Sequence, residues 1–319
     1  MRGWLAELDG RRVTVEVPAT TANLGAGYDC LGMALDLANV VSLEVRGWSR
    51  GGIELTVDGE GAGELAADAG NRFVQGVEAA IREARGAIPK GAAWRIEMTN
   101  RIPLARGLGS SAAATVGGLL AANALLGDEL GPSDLLRLAT AIEGHPDNAA
   151  PALLGGFVAS AAIGEAIEAI RFDVPPGIRA VVFIPDLRLA TGDMRTVLPA
   201  TVPRADAVAN LGRVALGVAA FASGRLDAIR FLTEDRLHEP YRAAAYPQLP
   251  RLVADARTAG ALGAALSGAG SSIIAFSDTD SGVARIEAAF RAAAADTDLP
   301  GRVEVVTPRN GGARVLVEP

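Results

Sequence analysis

Residues 103 to 113, PLARGLGSSAA, join a glycine-rich turn to two serines and a run of small residues, a pattern suited to holding phosphate. Gly107 and Gly109 carry no Cβ, so the backbone there can turn left-handed and bring its amides up to an anion. Ser110 and Ser111 fall where a helix should begin, so unpaired N–H groups and the positive end of the helix dipole point the same way. Pro103, Leu104, Ala105, Arg106, Leu108, Ala112 and Ala113 complete the candidate cradle. A tight turn with a serine cap is the plainer account of the same residues. Two familiar phosphate motifs are missing. GxxxxGK[ST] requires a lysine, and the only one in the chain, Lys90, lies outside this run; GxGxxG requires a third glycine where Cys30 follows Gly25-Ala26-Gly27-Tyr28-Asp29.

Other turns also concentrate polar groups. Asn23 and Asp29 flank a flexible glycine turn, where an amide and a carboxylate either bond their own backbone or face a ligand. Glu143-Gly144-His145-Pro146-Asp147-Asn148 packs two carboxylates, an imidazole and an amide into six residues at a helix end. Glu143 with a loop serine offers the hard oxygens that Mg²⁺ prefers. With only His145 and His238 in the chain, a histidine-rich zinc site is excluded. Arg195, in ATGDMRTVLP, and Arg242, in LHEPYR, are either surface arginines or forks for an anion. Leu266-Ser267-Gly268-Ala269-Gly270-Ser271-Ser272 is a second glycine turn that could bring backbone close to the first.

The elements that must position these groups show in the patterning. Residues 11–17 read as a strand ending at Pro18, followed by a turn-rich segment to Cys30. Residues 40–47, 52–57 and 94–98 read as strands, and 71–85 has helical spacing. The candidate cradle therefore lies between a strand and a helix. Residues 133–143 read as a serine-capped helix stopping at Gly144, followed by the small-residue strand FVASAAI. The weakly patterned acidic stretch GEAIEAIRFDVPPG marks the expected boundary between domains at 1–165 and 166–319. Beyond it come strand RAVVFIP, helices around 204–237 and 247–259, strand SSIIAFS, a helix at 281–295, and strands RVEVVT and ARVLV. This order suggests an α+β protein of two subdomains.

At 319 residues, 50% hydrophobic and 21% charged, the chain can bury a large core. A net charge of −7 with scattered arginines argues against a nucleic-acid surface. One cysteine excludes an internal disulfide, and Cys30 reads as a small buried hydrophobe. No signal peptide or membrane span is apparent, so no membrane partner and a soluble, cytoplasmic protein are expected.

Taken together, PATTANLGAGYDCLG, PLARGLGSSAAA, EGHPDNAAPALLGGF, ATGDMRTVLP, HEPYR and LSGAGSS resemble, in order, the homoserine kinases of the GHMP superfamily of small-molecule kinases. The resemblance runs from about Val13 to Val317. Ala26 and Ser271 stand where proline is common and Tyr28 where phenylalanine is usual, and none of these removes a polar group. The resemblance implies an S5-like N-terminal domain holding ATP, a ferredoxin-like C-terminal domain, and a substrate between them. It implies that residues 103–113 wrap the triphosphate with Asn71 near the nucleotide, and that Glu143 with Ser110 or Ser111 holds Mg²⁺. It further implies that Asp29 takes the ammonium of L-homoserine, Arg195 and Arg242 its carboxylate, and Asn23 and Asn148 its hydroxyl, with His145 and Asp147 in the pocket. The implied activity is γ-phosphoryl transfer from ATP to the L-homoserine hydroxyl, in threonine biosynthesis, by a homodimer. Some GHMP kinases use an Asp–Lys pair as base, and Lys90 is not placed to supply it. A kinase acting on mevalonate, shikimate or a sugar, or a nucleotide-binding sensor without catalysis, are the alternative readings.

Overall fold

The structure is a computed structural model that describes residues 4–46, 52–89 and 91–316; Lys90 lies outside the described residues. After a 3₁₀ turn at Trp4–Leu8, the chain forms β1 (Arg12–Ala22), β2 (Leu31–Arg46), β3 (Gly52–Gly59), α1 (Arg72–Arg85), β4 (Ala93–Asn100), α2 (Ser110–Leu125), α3 (Pro132–Glu143), α4 (Pro146–Leu154), β5 (Phe157–Ile163) and β6 (Ala166–Phe172). There follow β7 (Arg179–Pro185), α5 (Thr191–Thr196), α6 (Arg204–Ser223), a 3₁₀ turn at Leu226–Ala228, α7 (Ile229–Leu232), α8 (Glu239–Arg242) and α9 (Leu249–Thr258). The chain closes with β8 (Gly263–Leu266), β9 (Ile273–Ser277), α10 (Asp280–Asp296), β10 (Gly301–Val306) and β11 (Arg314–Leu316). The expected α+β class matches this composition.

Two sheets organise the molecule. The first runs β11-β1-β2-β4-β3, with β5 pairing both β2 and β6; the second is an antiparallel β10-β7-β9-β8 sheet. Sheet membership divides the chain differently from the expected split after residue 165. Residues 166–172 alternate exposed and half-buried side chains and pair with β5, and β11 returns to β1, so the acidic stretch is an edge strand. Pro18 does not end β1 either. It sits beside a register shift between Pro18 and Ala19, where a missing ladder N–H is tolerated, and the strand continues to Ala22. The expected helix over 204–237 stops at Ser223, where Gly224 adopts a left-handed conformation.

α2 is largely apolar because most of it is buried, with Ser111 in its first turn the exposed exception. It lies against α1 and β1, and the close approach of α1 depends on glycine: a Cβ on Gly118 would fall 2.0 Å from the Phe73 carbonyl oxygen. Asn71 begins α1 by accepting the Phe73 N–H. Gly131 and Pro132, not a serine cap, begin α3: the Asp134 carboxylate accepts the Gly131 N–H, and the helix ends at Gly144 as expected. α6 is long and apolar enough, by length and composition alone, to cross a membrane, which differs from the expectation of no such segment. Here its Gly217 is packed against Leu232 of α7, and Phe221 stacks on Phe157 of β5 at 4.0 Å between ring centroids.

Candidate active site

Three turns converge where the two sheets meet. The loop after β1 is held open by Asn23, Leu24 and Asp29, all at positive φ (66°, 50° and 55°). Asn23 locks it from within. Its Oδ1 accepts the Asp29 N–H at 2.9 Å, and its Nδ2 donates to the Gly268 carbonyl at 2.9 Å, tying this loop to the turn after β8. The 103–109 loop joins the same knot. Ser267 Oγ donates to Gly107 O at 2.7 Å, and the Ser272 N–H donates to Arg106 O at 3.1 Å. The second glycine turn therefore does abut the first, as its composition suggested. Gly107 is at φ 72°, and a Cβ there would meet the Ser267 carbonyl oxygen at 2.0 Å.

The glycine loop delivers α2 with Gly109 in a left-handed conformation, so the first N–H groups of the helix open into the cleft. Glu143, the last residue of α3, reaches across to this end. Its Oε1 accepts from Ser111 Oγ at 3.0 Å and from Thr115 Oγ1 at 2.6 Å, and Arg72 Nε approaches to 3.8 Å. One nearly buried carboxylate with two hydroxyls is a set of hard oxygen donors, which fits a magnesium ion. Ser111 is the serine that meets Glu143.

At the other end, Arg195 grips Asp29 through two bonds of 2.6 and 3.0 Å, and also donates to Tyr28 Oη at 2.9 Å. That paired geometry holds the guanidinium even more firmly protonated, chiefly through its bonds to Asp29. Tyr28 lies against two cations, with the guanidinium carbons of Arg195 and Arg242 each 5.6 Å from its ring centroid. Arg242 is buried, and burial lowers its pKa. Between the two ends, Asn148 Oδ1 accepts from Thr20 Oγ1 at 2.8 Å, and His145 Nδ1 bonds Asp147. Burial disfavours the imidazolium of His145, but the bond and charge of Asp147 outweigh it and raise the pKa. Cys30, expected to be buried, is half-buried against the core, and desolvation pushes its thiol up to about 11.

A single cavity of about 340 Å³ runs along these groups. It is lined by Asn23, Asp29, Glu143, His145, Asp147, Asn148, Arg195 and Arg242, and by Pro103, Ala105, Arg106, Gly107, Leu108, Gly109, Ser110, Ser111 and Ala112. Asn71, Leu104 and Ala113 do not line it. The Asn71 amide caps α1 and donates to the Ala66 carbonyl, and its neighbour Arg72 lines the cleft. Arg72, Thr191 and Gly192 line the cavity without having been singled out, and Gly268 and Ala269 of the second glycine turn line it as well. Thr115 was also missed, although it lies one helical turn after Ser111 and so on the same face.

The comparisons with known proteins agree with this geometry. The profile described as GHMP kinases N terminal domain matches residues 71–156, and that described as GHMP kinases C terminal matches residues 212–296. The homoserine kinase of Moorella thermoacetica is 44% identical over 303 residues, covering 95% of this chain and 99% of that protein. The chain belongs to the homoserine kinase family of the GHMP kinases. The homoserine kinase of Carboxydothermus hydrogenoformans is 46% identical over 87% of this chain and 90% of that protein. Among solved structures, the homoserine kinase of Cytophaga hutchinsonii superposes with a TM-score of 0.84 at 32% identity, covering 96% of this chain and 97% of that one. A mevalonate kinase of L. major in complex with R-mevalonate shares the fold, with a TM-score of 0.69 at 15% identity over 92% of this chain and 95% of that one.

Proposed function

We propose that this member of the homoserine kinase family transfers the γ-phosphoryl group of ATP directly to the hydroxyl of L-homoserine, giving O-phospho-L-homoserine for threonine biosynthesis. The observation that carries the reading is the polarity of one cavity: a helix N-terminus with a glycine loop at one end, and Asp29 with Arg195 and Arg242 at the other. The first end suits a triphosphate. The second suits a zwitterion, because a free amino acid needs an anionic acceptor for its ammonium and guanidinium forks for its carboxylate.

In this reading, backbone amides of residues 105–111 and Ser110 embrace the triphosphate. Glu143 and Ser111, with Thr115 behind them, hold Mg²⁺, which when bound neutralises charge on the transferring group. Asp29 receives the ammonium, Arg195 and Arg242 the carboxylate, and Asn148 the hydroxyl, assisted by the second amide hydrogen of Asn23. His145 and Asp147 form the pocket wall. The hydroxyl oxygen of homoserine bonds to the γ-phosphorus as the bond to the ADP oxygen breaks, and the hydroxyl proton leaves late, to a phosphoryl oxygen. Alignment and charge neutralisation supply most of the acceleration in such a loose transition state, so no strong base is required. The cytoplasmic location and homodimeric state implied by the resemblance, and the absence of a nucleic-acid or membrane partner, belong to the same proposal.

The deciding experiment is ADP release with Mg–ATP, comparing L-homoserine with mevalonate, shikimate, galactose and L-threonine. Turnover far above background with homoserine alone is expected. Preferred turnover of another acceptor keeps the kinase and removes the zwitterion assignment, while ATP binding without any turnover replaces it with a sensor.

A further inference from the structure

We infer that His238, which does not line the cavity, is a positioning residue that aims Arg242 at the substrate carboxylate. The argument starts from the bonds of two fully buried side chains. His238 Nε2 lies 2.8 Å from the Gly25 carbonyl oxygen, and its Nδ1 lies 3.0 Å from Arg242 Nη1. A carbonyl can only accept and a guanidinium can only donate, so Nε2 carries the hydrogen and Nδ1 is bare. The imidazole is therefore a neutral bridge of fixed tautomer, and its complete burial, which pushes its pKa down to about 4, keeps it neutral.

The remaining bonds of Arg242 show what the bridge accomplishes. Nη1 also donates to Gly268 O at 2.9 Å, and Nε lies 3.4 Å from Met194 O. No described protein group within hydrogen-bonding distance meets Nη2, and Arg242 borders the cavity. The two N–H groups of Nη2 are thus held ready for an anion by anchoring everything else. Gly25 belongs to the loop that carries Asp29, Gly268 to the turn that Asn23 also grips, and Met194 precedes Arg195. Through His238, one guanidinium takes its aim from all three substrate-side segments. Asp235 fixes the imidazole in turn, accepting the backbone N–H groups of Leu237, His238 and Glu239.

This inference rests on the homoserine reading, and two substitutions separate it from a merely structural role. In His238→Asn the side-chain oxygen occupies roughly the place of Nδ1 and can still accept from Arg242. In His238→Gln the amide reaches the place of Nε2 and can still donate to Gly25, but the acceptor for Arg242 is lost. Steady-state kinetics should show the Gln variant with a KM for L-homoserine raised at least about tenfold, while kcat and the KM for ATP stay within about threefold. The Asn variant should recover most of the homoserine affinity. Equal effects of the two variants, or a joint loss of homoserine and ATP affinity, would show that the imidazole only fills space, and an unchanged KM in the Gln variant overturns the inference outright. A wild-type protein that turns over ATP but not homoserine sinks the homoserine reading and this inference with it.

Discussion

Asp29 is placed to serve two masters, and a substrate lacking one group can separate them. In the structure each oxygen of its carboxylate accepts one bond from Arg195, which leaves further acceptor sites on both, and the two side chains remain about one-third exposed, at 31% and 35%. Asp29→Asn keeps the shape and one acceptor oxygen but removes the charge. It withdraws the charged partner of the substrate ammonium and also loosens Arg195, which keeps Tyr28 Oη and a single uncharged amide oxygen in place of the carboxylate. The second effect weakens any acceptor with a carboxylate. The first touches only an acceptor with an amino group.

Comparing L-homoserine with 4-hydroxybutyrate, which lacks the α-amino group, isolates the first effect as in a double-mutant cycle. A hydrogen bond to a charged group contributes about 1.5 to 3 kcal/mol, and solvent screening of a partly exposed pair favours the lower end. At about 1.4 kcal/mol per decade, Asp29→Asn should lower kcat/KM for homoserine about tenfold more than for 4-hydroxybutyrate. Initial rates of ADP release for both acceptors with both proteins give the four numbers required. If the substitution costs the two acceptors the same factor, Asp29 acts only by holding Arg195 and the ammonium assignment fails.

Three further outcomes follow from single contacts. Glu143→Gln keeps an oxygen for Thr115 but removes the charge beside Ser111, and should lower kcat at least about 100-fold with a raised requirement for Mg²⁺; near-normal turnover in a magnesium titration would take Glu143 out of the metal site. Gly107→Ala places a methyl 2.0 Å from the Ser267 carbonyl at a left-handed φ that alone costs about 1 to 2 kcal/mol, so calorimetry should show ATP bound at least about fivefold more weakly, and an unchanged Kd would refute the packed-loop account. Burial raises the pKa of Glu239 from 4.5 to about 8, so the folded state holds a proton that the unfolded state has lost between those values and stability falls as pH rises through that window. Glu239→Gln can still accept the Leu266 N–H and cannot ionise, so urea unfolding should show the variant gaining on the wild type by up to about 5 kcal/mol between about pH 5 and about pH 8.5. A constant difference across that range would contradict the buried-acid reading.

What the residues disclosed, and what they withheld, divides along the range of the interactions involved. The glycine loop, α1, α3 and most strands after residue 178 are written in local patterns of turn chemistry and periodicity, and they stand where those patterns put them. The edge strand β6 lies in a weakly patterned acidic stretch, where its apolar residues do not alternate strictly with polar ones; what makes it a strand is pairing with β5, a tertiary fact. The same distinction runs through the site. That Glu143 and Ser111 belong together could be proposed from residue types, yet Thr115 lies a turn deeper on a helix whose general apolarity hides which face meets Glu143.

Arg242 was legible as a possible fork for an anion, but its burial was not, and burial changes the chemistry. A surface arginine can swing toward any acid. A buried one must be held by groups distant in sequence, here Gly268, Met194 and, across a histidine, Gly25. An arginine so held carries a large desolvation cost that the carboxylate of a correctly placed substrate can help offset. Selectivity at this end of the cleft should therefore reside less in the presence of two arginines than in the fixed aim of one of them, and a homoserine kinase relative that kept both arginines but changed the imidazole would be expected to lose discrimination before it lost ATP.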